Sequence, residues 1–553
     1  MTYADSDLST GEPERQGPLT FGQIAQLMEY EEILTKAPDA AWTRTLTQRW
    51  PVPESTPTAA VRAALALLSR RHEIIRTTFG RDGSGNPVQV VWRAGSERIR
   101  TVEPEASPTS DAWVDSYLAA LRQKPLPCDT EPPISFEIVV DGASAKEVLI
   151  VFHHIVADHQ SVQILRRDFL SALNSLRHGK AEPASPSPRQ PIDEALIQEA
   201  RANAENDGLE SWREVLDVTA PTQYPVWDEG RSAGYTATFE SADLQHAVSA
   251  LSKRHGLWPA QALLGLYAFA MARYTDLPTA SMCVISSNRF AYPSAVHCCA
   301  LRVPVSIPSD AGRPEEIMKT VEASTKNLHR NADHDARALR KLLDERQQST
   351  GFNTRFRMEY NFLSRRGGSV DRGMPRDARA RSEFRHEPTD PADPTLTYFA
   401  ARPGRGREPL VISFESNEAF LPVPAAEALL RAMESLGAAL AQVGPDAQRQ
   451  VGQGAAPWAV HMADALEARP QATGLVPFGT GYVDTARTVR AIEVELGGKR
   501  AVEVLVHDRG TPRERLVARL SEAPGADEVS DLLAALRRRA DQDPALVMPT
   551  EVM

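Results

Sequence analysis

The stretch that most constrains this chain is Val148-Leu149-Ile150-Val151-Phe152, followed without a break by His153-His154-Ile155-Val156-Ala157-Asp158-His159-Gln160-Ser161. Five consecutive apolar residues read as a buried strand, and Val162, Ile164, Leu165, Phe169 and Leu170 then recur with helical spacing. Two histidines therefore stand where a strand ends and an aspartate where a helix begins, the place where α/β proteins put their chemistry. Successive strand residues point to opposite faces, so His153 and His154 do not both meet one substrate. An imidazole titrates near neutral pH and can hold or move a proton there. Asp158 suits the start of a helix, where it accepts from backbone N–H groups; alternatively it binds an arginine and fixes the loop that carries the histidine. The plain alternative is that both histidines are packing residues. Ligation of a metal by His154, Asp158 and His159 would need three side chains to converge from a strand end and a helix start. No HExxH or CxxC string accompanies them, so no metal site is expected.

At 553 residues the chain has room for two to four domains. Its 42% apolar and 24% charged residues are ordinary for a globular protein, and a formal charge of -11 argues against a nucleic-acid partner. Cys128, Cys283, Cys298 and Cys299 do not make a secreted disulfide framework, and the adjacent pair reads as small buried residues. The first residues hold no apolar signal segment, and the most apolar helical pattern, Ala260 to Ala272, is too short to span a bilayer. A soluble cytoplasmic protein without a membrane partner is expected.

Composition divides the chain into a flexible N-terminus (1–17), a first block of strands and helices (18–180), a Pro/Ser-rich linker (181–194), a second α/β block (195–445) and an α+β appendage (455–553). In the first block, Val61 to Leu68 reads as helix and Ile74 to Phe79 as strand; in the second, Pro259 suits the first turn of a long helix. In the appendage, Ala491 to Leu496, Gly497-Gly498 and Val502 to Val506 read as a hairpin, and Pro512 to Leu520 and Val529 to Arg539 as helices. Arg365 to Pro394 is a polar, Arg-rich insertion that reads as a solvated loop.

His153-His154-x-x-x-Asp158 resembles the HHxxxDG motif of nonribosomal peptide synthetase condensation domains and their acyltransferase relatives. Arg71-His72-Glu73-Ile74-Ile75-Arg76-Thr77-Thr78-Phe79 matches the family's RHExLRTxF almost letter for letter. Pro18 to Gln23 is similar to its PLSxxQ opening, Leu209 to Leu216 to its YWRExL helix, and His255 to Thr275 to its long HGLTP helix. Ser287-Asn288-Arg289 stands where the family has a Gly-Arg or Asn-Arg pair, and Arg357 to Phe362 resembles its central second-half strand. The resemblance spans roughly residues 15 to 445. It departs at His159, where the family has Gly, at Ala25-Gln26-Leu27, where it has Arg-Leu-Trp, and in a late aspartate motif that is not legible.

The resemblance implies an α/β (α+β) fold of two chloramphenicol-acetyltransferase-like halves in a V-shaped pseudo-dimer, with a tunnel between them. It assigns His154 the contact with substrates, as base or as positioner, and makes His153 structural. Asp158 is expected to pair with Arg289, with Arg76 as the alternative. His159, Ser287, Asn288 and Tyr360 are expected along the tunnel, His159 narrowing an entrance. No bound cofactor is implied. A phosphopantetheine thioester arrives on an acyl or peptidyl carrier protein, or as CoA, and the acceptor is a small amine or alcohol. Neither an adenylation motif nor a carrier serine motif is visible, so a free-standing condensation enzyme is expected, served by other chains. The alternatives are an ester-forming O-acyltransferase of the same superfamily, or a silent condensation-like module that recruits another protein. The Arg-rich insertion would then be a basic cover for an acidic carrier.

Overall fold

The structure, a computed structural model, describes residues 13–95, 98–104, 111–179, 188–204, 208–228, 230–231, 233–289, 293–309, 314–326, 328, 332–363, 382–389, 393, 395–404, 408–442, 456–471, 474–511 and 513–553. The expected linker at 181–194, most of the N-terminus 1–17, most of the insertion 365–394 and the boundary glycines near 452–454 lie outside the described residues in whole or in large part. The chain divides into two compact units. One takes its described residues from 1–208, 287–301 and 332–338, the other from 209–286, 302–331 and 339–553. Two excursions of the expected second block, 287–301 and 332–338, thus belong to the first unit, as does the helix Pro191–Ala204.

In the first unit the strand Ser144–His153 is second of four, in the order Thr45–Pro57, Ser144–His153, Ile134–Asp141, Arg98–Val102. It is antiparallel to both neighbours, and Arg98–Val102 is parallel to Ile134–Asp141. Its unbroken apolar run has a simple cause, since both faces of this sheet are covered. Val148, Ile150 and Phe152 enter a core shared with the helices Thr58–Arg71 and His159–Arg177. Leu149 packs on the other face with Val139 and with Val114 of the helix Asp111–Arg122. A strand buried on two sides has no polar face to alternate with. Helix His159–Arg177 presents Val162, Leu165, Phe169, Ala172 and Leu173 to that core, an i, i+3, i+7 stripe, and Phe169 meets Trp50 with ring centroids 5.4 Å apart.

The RHExxRTxF segment braces this helix. Arg71 Nε and His72 Nε2 both reach Asp168 Oδ2, at 3.0 and 2.9 Å. Burial opposes the carboxylate, but His72, Arg167 and Arg71 hold Asp168 well below the usual carboxylate range. The strand expected from Ile74 begins later. Glu73–Arg76 is a 3-10 turn and Thr77–Arg81 the strand. Ile74, Ile75 and Arg76 are all buried, which a turn of three residues allows and a strand with one open face does not.

The second unit is built on a seven-stranded sheet ordered Leu301–Pro308, Thr279–Ser286, Met358–Phe362, Thr397–Arg402, Leu410–Asn417, Gly234–Ser241, Glu383–Thr389. Pro259 opens the long helix Pro259–Thr275 at its first turn, as expected. Part of the expected insertion is an edge strand: Glu383–Thr389 lies antiparallel to Gly234–Ser241. No helix among the described residues is long and apolar enough to cross a membrane.

The C-terminal hundred residues correct three expectations. Ala491 to Leu496 is not a strand but the end of the helix Thr485–Glu495, N-capped by Asp484, whose Oδ1 accepts from Arg487 N at 3.0 Å. The alternation of Ile492, Val494 and Leu496 misled, because Val494 faces solvent and the packed set is Thr488, Ala491, Ile492. Arg515–Leu520 is a strand rather than a helix, paired with Val502–His507 and Glu551–Val552; Pro512 is outside the described residues. The helix expected over Val529 to Arg539 is present as Ala526–Gln542. The appendage is also not a separable piece. Trp458, Met462 and Ala465 of the helix Pro457–Glu467 belong to the core of the second unit, Trp458 meeting Phe269 at 5.7 Å. Asn353 Nδ2 donates to the carbonyl of Ala540 at 3.2 Å and Arg357 Nη2 to that of Asp541 at 2.8 Å, both side chains buried.

A chain stopped at residue 454 is therefore expected to be insoluble, or to lose several kcal/mol of a net stability that is about 5–15 kcal/mol in ordinary domains, since a buried Trp alone is worth about 3–5 kcal/mol. Expression of the truncated chain with a thermal melt checks this. A soluble fragment melting like the whole chain would show that the helix is dispensable.

Candidate active site

His153 and His154 end their strand as alternation requires. The His153 N–H donates to the carbonyl of Pro133 at 2.8 Å and the His154 N–H to that of Arg44 at 2.9 Å, one strand on either side. His153 turns inward and is fully buried. Its Nδ1 accepts from Ile155 N at 3.1 Å, and its ring meets Tyr30 edge-on at 4.6 Å. Burial, with the charges of His154 and Arg44, pushes its pKa down to about 3, so it is a neutral packing residue.

His154 is half-buried. Burial and Arg44 lower its pKa, outweighing the hydrogen bond to its own main chain and the pull of Asp158, so the ring is neutral at pH 7. Its Nδ1 lies 3.7 Å from Cys298 Sγ. A neutral imidazole keeps one unprotonated nitrogen, the state a proton acceptor needs.

Asp158 caps the helix His159–Arg177 and is the centre of a buried knot. Its Oδ1 accepts from Ser161 N at 2.8 Å and from Arg289 Nη2 at 2.6 Å, and its Oδ2 from Cys299 N at 3.1 Å. Burial raises its pKa, but Arg289 and the two backbone donors win, and the carboxylate stays ionised below its usual range. Arg289 also donates to Ser161 Oγ at 2.5 Å and to the carbonyl of Ala295. Ser161 Oγ donates in turn to the carbonyl of His297 at 2.7 Å. Asp158 thus pairs with Arg289. Arg76, the alternative, is elsewhere: it binds Glu14 Oε2 at 2.5 Å and the Trp92 carbonyl.

The other expected residues scatter. His159 is the exposed first residue of the helix after Asp158, and Ser287 is exposed. Asn288, with φ of 45°, donates from Nδ2 to Asp333 Oδ1 at 3.1 Å, which sets the backbone that delivers Arg289 inward. Tyr360 is a core residue of the second unit. It is 1% exposed, its hydroxyl donates to the Ala260 carbonyl at 2.8 Å, and its ring stacks on Phe399 at 5.4 Å.

Sequence reasoning missed the support around this knot. Thr20 and Gln23 form a capping box at the start of the helix Phe21–Lys36, and Thr20 Oγ1 lies 3.3 Å from His297 Nδ1. The capping box was legible in Thr20-x-x-Gln23; the long-range partner was not. Gly22 is required at this crossing, because a Cβ there would stand 2.2 Å from the Cys298 carbonyl oxygen. Gly22→Ala is expected to push the 295–299 segment off Asp158 and to lower both activity and melting temperature. An unchanged melt would show that the two segments separate freely.

The sequence model of the condensation domain matches residues 53–376, more than half of the chain. The chain belongs to the condensation-domain family. Similar solved structures include the condensation domain of the monacolin K polyketide synthase MokA (TM-score 0.59, 15% identity, 78% of this chain and 98% of that one). Another is the structure of condensation domain-mediated chain release from the enacyloxin polyketide synthase (TM-score 0.58, 17% identity, 82% and 85%). At such identities the likeness is one of fold. Curated relatives include the beauvericin cyclodepsipeptide synthetase of Beauveria bassiana, 32% identical over 174 residues, 30% of this chain and 5% of that one. The phosphinothricin tripeptide synthetase of Streptomyces viridochromogenes is 29% identical over 230 residues, 39% of this chain and 21% of that one. The condensation-domain chain thus spans a small part of the length of these relatives.

Proposed function

We propose that this condensation-family protein joins an acyl or aminoacyl thioester, presented on the phosphopantetheine arm of a carrier protein, to an amine. The observation that carries the reading is His154, a partly accessible, neutral imidazole whose loop is locked by the Asp158–Arg289 pair. In the reaction the amine nitrogen attacks the thioester carbonyl carbon, a C–N bond forms and the C–S bond breaks. The ammonium proton passes to the His154 imidazole or is steered by it, and the thiolate leaves to take up a proton. Positioning of the two substrates supplies most of the acceleration, and a single well-placed imidazole about 10²–10⁴-fold. Ester formation by attack of an alcohol is a second reading, favoured by the name of the cyclodepsipeptide synthetase among the relatives.

The test is product formation by the full chain with an acyl-loaded carrier protein and matched amine and alcohol acceptors. Amide from the amine supports the first reading; ester alone supports the second; neither product from any loaded carrier would leave a recruiting module. The state of the ring is checked separately. A free histidine titrates near pH 6.5, and a lowered pKa means the ring stays neutral as the pH falls past that value. In carbon-labelled histidine NMR, the resonance missing from His154→Ala is expected to titrate below pH 6.5. A midpoint at or above it would contradict a ring kept neutral by its surroundings.

A further inference from the structure

Behind the Asp158 knot, in the same unit, three potential ligand side chains from two distant parts of the sequence converge in a fully buried place. His297 Nε2 lies 3.1 Å from Glu194 Oε1 and 3.3 Å from Cys299 Sγ. Glu194, His297 and Cys299 are 1%, 1% and 2% exposed. All three ligand atoms lie within 4.8 Å of one another. The other carboxylate oxygen, Glu194 Oε2, is buried with no hydrogen-bond partner among the described residues.

The histidine is turned for ligation. His297 Nδ1 lies 3.0 Å from the Cys298 carbonyl oxygen, and a carbonyl only accepts, so one proton sits on Nδ1; Nε2 faces the carboxylate and the sulfur, a position that either a second proton or a metal ion fills. A ligating imidazole characteristically gives its other N–H to a backbone carbonyl in this way. The Cys299 thiol has one proton to share with two acceptors, so protons alone leave Glu194 Oε2 without a partner in a dry interior, where an unpaired polar atom is costly. Zinc takes Cys, His and carboxylate ligands at about 2.0–2.3 Å, which in a tetrahedron sets nitrogen–oxygen and nitrogen–sulfur separations near ~3.4 and ~3.6 Å. The observed separations are within a few tenths of an ångström of these.

We propose that Glu194, His297 and Cys299 form a zinc site, with Glu194 supplying Oε1 and, through its unpartnered Oε2, a fourth donor atom. Binding replaces the thiol proton of Cys299, which leaves to solvent, and forms Zn–N, Zn–S and Zn–O bonds with no redox change. The ion ties the helix Pro191–Ala204 to the segment whose Cys299 N–H and His297 carbonyl hold Asp158 and Ser161. It is a brace behind the catalytic loop and does not touch substrate, so it stands whether or not the acyl-transfer reading does. It is also a site that no spacing motif announced, since Glu194 lies a hundred residues from His297.

The experiment is metal analysis of the full chain, purified without a histidine tag from zinc-supplemented culture, followed by cobalt(II) titration of chelator-treated protein. About one zinc per chain is expected, with a near-ultraviolet thiolate-to-cobalt band on substitution. Both should be lost in Cys299→Ser and weakened at least tenfold in affinity in Glu194→Gln. Should the variants fail to fold, the cobalt band of the wild-type chain still requires a thiolate ligand. Wild-type protein that takes up neither ion would mean that protons on His297 and Cys299 hold the cluster together, and the proposal falls. Uptake without a thiolate band, or undiminished in folded Cys299→Ser, would mean adventitious metal and would overturn it equally.

Discussion

His154→Ala is expected to lower the rate of acyl transfer by about 10²–10⁴-fold while leaving the melting temperature within a degree or two, because it removes one positioned imidazole and no buried ion pair. His154 is half-buried and its main-chain bond to Arg44 survives the substitution. His153 supplies the control: fully buried, with its ring on Tyr30, it should lose stability on truncation before it loses chemistry. Steady-state kinetics with a loaded carrier, beside a melt of each variant, separates the two. Near-normal turnover in a folded His154→Ala protein would remove this residue from the reaction.

Asp158→Ala and Arg289→Ala are each expected to cost about 3–5 kcal/mol, since either change leaves its partner's charge buried and uncompensated. The side chains are 7% and 2% exposed and 2.6 Å apart, so solvent screens them little. The double variant should cost less than the sum of the singles, by about 0.5–3 kcal/mol of coupling. Urea unfolding of the four proteins gives that number. Strict additivity would mean that the two side chains do not share one interaction, against the geometry. Activity should fall with stability here, in contrast to His154→Ala, because the knot sets the loop and not the proton transfer.

What was legible in the chain follows from the range of the forces involved. The strand and helix around His153-His154 were readable because burial on both sheet faces writes an unbroken apolar run, and a helix against a core writes a stripe. Asp158 was readable as a cap, and Arg289 as its partner only through the family's Asn-Arg pair. Asp168, Glu194 and Ser161 were not readable. Asp168 answers Arg71 and His72 across 97 and 96 residues, and no local pattern encodes such a pairing. The C-terminal errors have the opposite cause. Ile492-Glu493-Val494-Glu495-Leu496 alternates as a strand does, and only the exposure of Val494 reveals the helix. The helix Pro457–Glu467 was read into the appendage although it packs in the core of the second unit, because polar composition marks a loop, not the edge of a core.

The contribution of residues 287–301 to the first unit has a consequence for how the protein is made. Arg289 follows Asp158 by 131 residues, so at about 5–20 residues per second a ribosome needs on the order of ten seconds to deliver the guanidinium after the carboxylate has emerged. During that interval the loop that carries His154 and Asp158 exists without its counter-charge, and the nascent first unit lacks the stretch that seals its core with Val296 and Leu301. The part of the first unit that precedes residue 208 is therefore expected not to fold autonomously. Codon-level pausing before residue 301 would lengthen the exposure of an unfinished apolar surface, whereas pausing after residue 338 would not.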